Sequence, residues 1–326
     1  MREQVLNILR KTDNYVSGEH ICKQLGVTRA AIWKIIKALK KEGYSIESVT
    51  NKGYRLLDIP DILRSSEILF GLTTEYMGRN NEVFECISST NEVAKQKALE
   101  GAVNGSLFVA EMQTSGKGRL GKTWHSPAGS GLWMSLVLRP HLDPEQLIKV
   151  TLVSGISVCL AIREVTGLDA RIKWPNDIVV NGKKICGILT EMVAEQDCIN
   201  CVIVGIGVNV NTSNFPNDIS AIATSILIEC GERYKRVRIL HRVLETLEIN
   251  YEKFIVTGFN GDLLDEYKTL CINIGREVSF MIDGIMFCGI AKDIAPSGQL
   301  IVEADDGKMF TLKSGECSIR GIYDYV

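Results

Sequence analysis

The chain has 326 residues, 45% of them hydrophobic and 23% charged, which is material for about two packed domains and rules out a disordered chain. Its 37 Lys+Arg against 39 Asp+Glu leave a formal charge of −2, so no field of the whole molecule announces a polyanionic partner. The longest uncharged apolar run, residues 150–162, is shorter than the ~20 residues a bilayer span needs, and no signal-like segment opens the sequence. A cytoplasmic protein without a membrane partner is expected.

The charge is uneven along the chain. Residues 1–55 carry 11 Lys+Arg and five acids, a net +6 that leaves −8 for the remainder. Val5, Leu6, Ile8 and Leu9 predict a short amphipathic helix. Ser17 can cap a second helix over 19–25, ended by Gly26, and Thr28 can cap a third over 29–42, stopped by Gly43. In the third, Ile32, Ile35, Ile36 and Leu39 share one face, with Arg29, Trp33, Lys37 and Lys40 set on the other side. Residues 44–49 and 54–57 predict a hairpin with Lys52 at its tip. Three short helices and a hairpin read as a winged helix-turn-helix, with Thr28, Arg29, Trp33, Lys34, Lys37, Lys40 and Lys52 as candidate DNA contacts. The plainer reading is a solvated basic helix on which Trp33 packs locally.

From residue 58 to about 270, strand-like and helix-like runs alternate, which predicts a mixed α/β domain. Gly116 to Thr123 satisfies the letter of a P-loop, G-x-x-x-x-G-K-T. That motif must open a helix, and Trp124-His125-Ser126-Pro127-Ala128-Gly129 cannot propagate one. The segment instead reads as a mobile positive flap suited to closing over an anion. In Lys173-Trp174-Pro175-Asn176-Asp177 a lysine ends a strand, a proline turns the chain, and an amide and a carboxylate stand at the corner. The run through Gly205 and Gly207 predicts a strand approached closely by another backbone or a ligand, and it lacks the third glycine of a dinucleotide fingerprint. Ten cysteines show no regular pattern, and the lone Cys198-Ile199-Asn200-Cys201 lacks a second pair, so reduced, buried thiols are expected rather than a metal or redox site. Past residue 271, short alternating runs separated by Asp283-Gly284, Pro296-Ser297-Gly298 and Asp306-Gly307 predict strands of a small barrel, the last over 317–322.

Ser89-Thr90-Asn91, the flap, Lys173-Trp174-Pro175-Asn176-Asp177, Lys184 leading into Gly187-Ile188-Leu189, and Gly207-Val208-Asn209 stand in the order found in biotin–protein ligases. With a winged helix in front, the chain resembles the bifunctional bacterial form of that family, ligase and biotin operon repressor, over essentially its whole length. The family flap usually reads Gly-Arg-Gly-Arg-Arg-Gly-Arg. Here it is Gly-Lys-Gly-Arg-Leu-Gly-Lys, which keeps charge at Lys117, Arg119 and Lys122 but loses the guanidinium fork at two of them.

The resemblance implies an α/β (α+β) multidomain fold: a winged helix-turn-helix (1–60), a mixed α/β ligase domain (61–270) and an SH3-like β-barrel (271–326). It implies an enzyme that makes biotinyl-5′-AMP from biotin and ATP with Mg²⁺, then passes biotin to a lysine of a biotin carboxyl carrier domain. Catalysis would fall to Lys184, Arg119 and Lys173; biotin to Ser89, Thr90, Asn91, Gln113, Lys117, Gly118, Arg119 and Lys184. ATP would meet Lys173, Asn176, Gly207 and Asn209, with Asp177 a weaker candidate for Mg²⁺. Arg320 is a further possible contact. The adenylate would act as corepressor, promoting a homodimer that binds operator DNA. A biotin sensor without ligase activity and a lipoate-type ligase are the alternatives.

Overall fold

The computed structural model describes the chain except residues 141, 142, 144, 145, 196, 197, 283, 314–319 and 322–326. Two compact units emerge, Met1–Ile62 and Leu63–Val326.

The first unit is built as its capping residues dictate. Helices α1 (Arg2–Arg10), α2 (Gly18–Leu25) and α3 (Arg29–Lys41) precede the hairpin β1 (Ser45–Val49) and β2 (Gly53–Asp58). The Ser17 hydroxyl accepts from the His20 N–H and that of Thr28 from the Ala31 N–H, each cap contributing about 1 kcal/mol. Gly26 closes α2 in the left-handed conformation at φ 66°. Ile32, Ile36 and Leu39 are buried against Val5, Leu6, Leu9 and Ile21, while Ile35 is half-buried. Asn51, at φ 64°, turns the hairpin.

In the second unit, α4 (Ser65–Leu69), β3 (Asn81–Ile87), α5 (Thr90–Leu99), β4 (Ser106–Gln113) and β5 (Gly131–Leu138) come first. Next are α6 (Leu147–Thr166), β6 (Arg171–Lys173), β7 (Asp177–Val180), β8 (Lys183–Glu195) and β9 (Cys198–Asn209). A seven-stranded sheet forms in the order β3-β4-β5-β9-β8-β7-β6, parallel between β3 and β4 and antiparallel elsewhere. The apolar run at 150–162 lies inside α6, which is buried against β8 and against α8 (Arg236–Thr257) and α9 (Asp262–Leu270). A helix apolar all round belongs in a core. Among the described residues no helix is long and apolar enough to cross a membrane. The short α7 (Ile226–Cys230) follows β9.

Strands β10 (Glu277–Ile282), β11 (Ile285–Ile294), β12 (Leu300–Ala304), β13 (Met309–Leu312) and β14 (Arg320–Gly321) make a five-stranded antiparallel sheet ordered β13-β12-β11-β10-β14. Its core residues Val278, Phe280 and Val302 join the same cluster as α6 and α8. Of the strand expected over 317–322, only Arg320 and Gly321 lie within the described residues, and the Arg320 side chain lies outside them.

Candidate functional site

A row of residues crosses five strands at the centre of the site. Lys173 on β6 stands opposite Asp177 on β7, Asp177 opposite Gly187 on β8, Gly187 opposite Gly207 on β9, and Gly207 opposite Trp133 on β5. Residues directly opposite in a sheet share a face, so the two glycines leave a shallow floor between a lysine–aspartate corner and a tryptophan. Two positions along, the row Leu189, Gly205, Ser135 repeats the arrangement. Side chains lie on this floor, where the glycines suggested another backbone or a ligand, and the same glycines line a cavity. A Cβ on Gly207 would lie 2.4 Å from Trp124 Nε1, one on Gly187 2.9 Å from the same indole, and one on Gly205 2.1 Å from Asn91 Oδ1.

Strict alternation along β8 would set Lys184 and Gly187 on opposite faces. A bulge intervenes, since Ile178 pairs with Cys186 but Val179 with Lys184, and it turns Lys184 back to the face of Gly187. There Lys184 Nζ lies 2.6 Å from Asp177 Oδ1 and 5.2 Å from the Trp124 ring centroid. Its backbone is held on both sides: the Lys184 N–H donates to the Ile222 carbonyl (2.7 Å) and the Thr224 N–H to the Lys184 carbonyl (2.9 Å).

The Lys173–Asp177 corner is pinned by residues that flank the C-terminal strands. The Trp174 N–H donates to Asn273 Oδ1 at 2.8 Å, and its buried indole Nε1–H to the Gly298 carbonyl at 3.0 Å. The Trp174–Pro175 peptide is cis. Asn176 Nδ2 donates to the Ile188 carbonyl, leaving its Oδ1 to accept from Arg119 Nη1 at 2.9 Å.

That last bond brings the flap across the site. The flap is a tight hairpin: the Gly118 N–H donates to the Lys122 carbonyl (2.7 Å) and the Trp124 N–H to the Gly116 carbonyl (2.8 Å), with Leu120 at φ 54° on the tip. Ser126 anchors its root, taking a bond from Gln113 Nε2 at 2.8 Å. Gln113 Oε1 accepts from the Thr90 N–H (2.8 Å), and the Ser135 hydroxyl lies 2.7 Å from Thr90 Oγ1 and 2.6 Å from Asn91 Oδ1. Asn91 Nδ2 donates to Glu191 Oε2 at 2.6 Å.

These elements enclose a cavity of about 550 Å³. All the candidate catalytic, biotin and ATP residues line it: Ser89, Thr90, Asn91, Gln113, Lys117, Gly118, Arg119, Lys173, Asn176, Asp177, Lys184, Gly207 and Asn209. Ser89 begins α5 without a side-chain cap bond, and Asn209 Nδ2 donates to the Thr224 carbonyl. Sequence reasoning missed Trp124, whose Nε1 is buried with no acceptor among the described residues, and the apolar wall of Phe215, Ile219 and Ile222. The signal for Trp124 was present in Gly187 and Gly207, because missing Cβ atoms on one face imply something large lying on it.

No cysteine stands among the described residues that line the cavity. Burial pushes Cys271 up to about 11 and Cys159 up to about 12, and raises Cys186 as well, so all three stay protonated at neutral pH. Cys86 is exposed, departing from the expectation of buried cysteines, and Cys198 lies outside the described side chains. Among the described residues, no three His, Cys, Asp or Glu side chains gather as a metal site.

In the first unit, Trp33 is 55% exposed on α3 with Lys37 Nζ 5.1 Å from its ring, and Lys34 is exposed beside it. Arg29 meets Glu19 at 3.2 Å, Lys40 Nζ donates to Ser48 Oγ at 3.0 Å, and Lys52 Nζ stands 5.7 Å from the Tyr15 ring. Thr28 caps α3, its Oγ1 accepting from the Ala31 N–H with the hydroxyl still able to donate.

The family model of the biotin/lipoate A/B protein ligases matches residues 83–209, that of an HTH domain residues 1–55, and that of the biotin protein ligase C-terminal domain residues 274–320. The bifunctional ligase/repressor BirA of Bacillus subtilis is 39% identical over 94% of this chain and 95% of its own length. Its Escherichia coli namesake is 30% identical over 93% and 92%. The structure of the Aquifex aeolicus biotin protein ligase in complex with biotin and ATP superposes with a TM-score of 0.66 at 30% identity, covering 74% of this chain and 99% of that one.

Proposed function

This chain belongs to the biotin/lipoate A/B protein ligase family, among the bifunctional ligase/repressors, and from that premise we propose how its residues divide the work. The protein ligates biotin to a carboxyl carrier domain at the expense of ATP and represses through its DNA-binding head. In the first step a biotin carboxylate oxygen bonds to the α-phosphorus of ATP and pyrophosphate leaves. In the second a carrier lysine amine attacks the acyl carbon and AMP leaves.

The observation that carries this reading is the convergence of Lys184, Lys173 and Arg119 on one cavity beside a floor cleared by Gly187 and Gly207. Bringing a carboxylate against a triphosphate is repulsive, and one cation 4 Å from one anion offsets about 4 kcal/mol at an effective dielectric of 20. Lys184 exchanges Asp177 for the biotin carboxylate and then follows the charge into the transition state. Lys173 and Asn176 face the phosphates, and Arg119 closes the flap over the mixed anhydride. Ser89, Thr90, Asn91 and Gln113 hold the ureido end through a hydrogen-bonded set already in place. Asp177, the only carboxylate among the described residues lining the cavity, would help to hold a Mg²⁺ ion shared with the substrate phosphates, which would offset their charge.

We assign residues 1–60, 61–270 and 271–326 to a winged helix-turn-helix, the ligase domain and an SH3-like barrel. Thr28, Arg29, Trp33, Lys34, Lys37, Lys40 and Lys52 meet operator DNA, and the adenylate promotes homodimerisation. Substrates of this kind place the protein in the cytoplasm. Incubation with biotin, Mg²⁺-ATP and a biotin-carrier domain should add the mass of one biotinyl group to a single carrier lysine. A lipoyl mass gain in a parallel reaction with lipoate, and none with biotin, would overturn the assignment, as would no gain at all.

A further inference from the structure

The flap is tied down by a second link, from a lysine of the cavity lining to a carboxylate outside it. Lys117 Nζ lies 2.8 Å from Glu92 Oε1 on α5, and the same oxygen takes Lys95 Nζ at 3.2 Å. Lys95 also reaches Glu191 Oε1 on β8 at 2.7 Å, and the other Glu191 oxygen holds Asn91 Nδ2. Alternating charges thus run from the root of the flap, through α5 and β8, to an amide on the cavity floor. The hydrogen bond from Lys117, then that from Lys95, hold the Glu92 carboxyl below its ordinary value.

We propose that Glu92 is a positioning residue that latches the flap by its Lys117 side, and that this latch governs how long the acyl-adenylate is retained. The proposal rests on the adenylate-forming reading above. An isolated exposed pair contributes little, but a connected network of charges is the case in which ion pairs count. The flap needs such a hold because its tip is strained: Leu120 is in the left-handed region without being glycine, and it is 73% exposed. Arg119 fixes one side of the hairpin to Asn176, and Glu92 fixes the strand on which Lys117 sits. The pair also directs the Lys117 charge away from the phosphates, leaving that task to Arg119 and Lys173.

Glu92→Gln keeps the shape of the side chain and removes its charge. In the unliganded full-length enzyme, hydrogen exchange at the Gly118 and Trp124 amides should rise about threefold, the effect of a partly exposed ion pair. Escape of preformed biotinyl-5′-AMP should rise by about the same factor, with KM for biotin increased and kcat for pyrophosphate release nearly unchanged. The difference from the wild type should shrink in 1 M salt, where the Debye length falls to about 3 Å and the longer links of the network are screened, and Glu92→Asp should restore part of the retention. Equal exchange and equal escape at low salt, or a difference undiminished in 1 M salt, would overturn the latch. A wild-type enzyme that makes no adenylate would overturn the functional reading instead, and amide exchange would still test the latch.

Discussion

On α3 the residues that hold the fold and those proposed to meet DNA share a helix but not a face. Ile32, Ile36 and Leu39 are buried, each worth about 1.5–3 kcal/mol of burial, while Trp33, Lys34 and Lys37 stand in solvent. In the ligase cavity the two sets merge. Thr90, Asn91, Lys173, Asn176 and Asn209 are almost wholly buried, and the bonds that position Asn91, Asn176 and Asn209 also tie strands and loops together. A surface that recognises a polyanion gains from exposed, independent charges. A site that must oppose a carboxylate and a triphosphate gains from charges fixed in advance, which only packing supplies.

The widest separation between the two regions should come from Lys184→Ala. Adenylate formation should fall more than about tenfold, by about 10²–10³-fold if Lys184 behaves like other single transition-state donors, while operator affinity without ligand stays as it was. Pyrophosphate release and DNA titration measure the two arms, and unaltered turnover would remove Lys184 from its role. Gly205→Ala probes the merging itself. A Cβ 2.1 Å from Asn91 Oδ1 should destabilise the ligase unit by about 1–3 kcal/mol and weaken biotin binding together, read by thermal unfolding and biotin titration. Lost binding at full stability would show that fold and site are separable there. The smallest effect belongs to the head. Lys37→Ala should leave stability within about 0.5 kcal/mol and reduce the slope of log K against log salt by about one phosphate contact. A stability loss larger than that would make α3 resemble the cavity.

Legibility in the sequence followed the same divide. The head is local: its caps at Ser17 and Thr28, its stop at Gly26 and its apolar face at Ile32, Ile36 and Leu39 all act within a few residues, so the helices emerge within one or two residues of expectation. The lysine corner and the flap were legible because each is a continuous segment of unusual composition. Lys184 was named by resemblance, yet its entry into the cavity depends on a bulge that alternation does not reveal. Trp124, Glu92 and the wall at Phe215 were missed because each owes its place to partners far along the chain.

Capping, periodicity and charge, all short-range in the sequence, determined the two-part character of the protein, and the ordered motifs named its chemistry through their resemblance to a family. Tertiary structure alone decided which side chains meet. Sheet register set Gly187 against Gly207, the bulge aimed Lys184, and α5 brought Glu92 to Lys117. The reason is geometric: a hydrogen bond or ion pair acts over about 3 Å, and the chain spans that distance between remote residues only after its strands have paired.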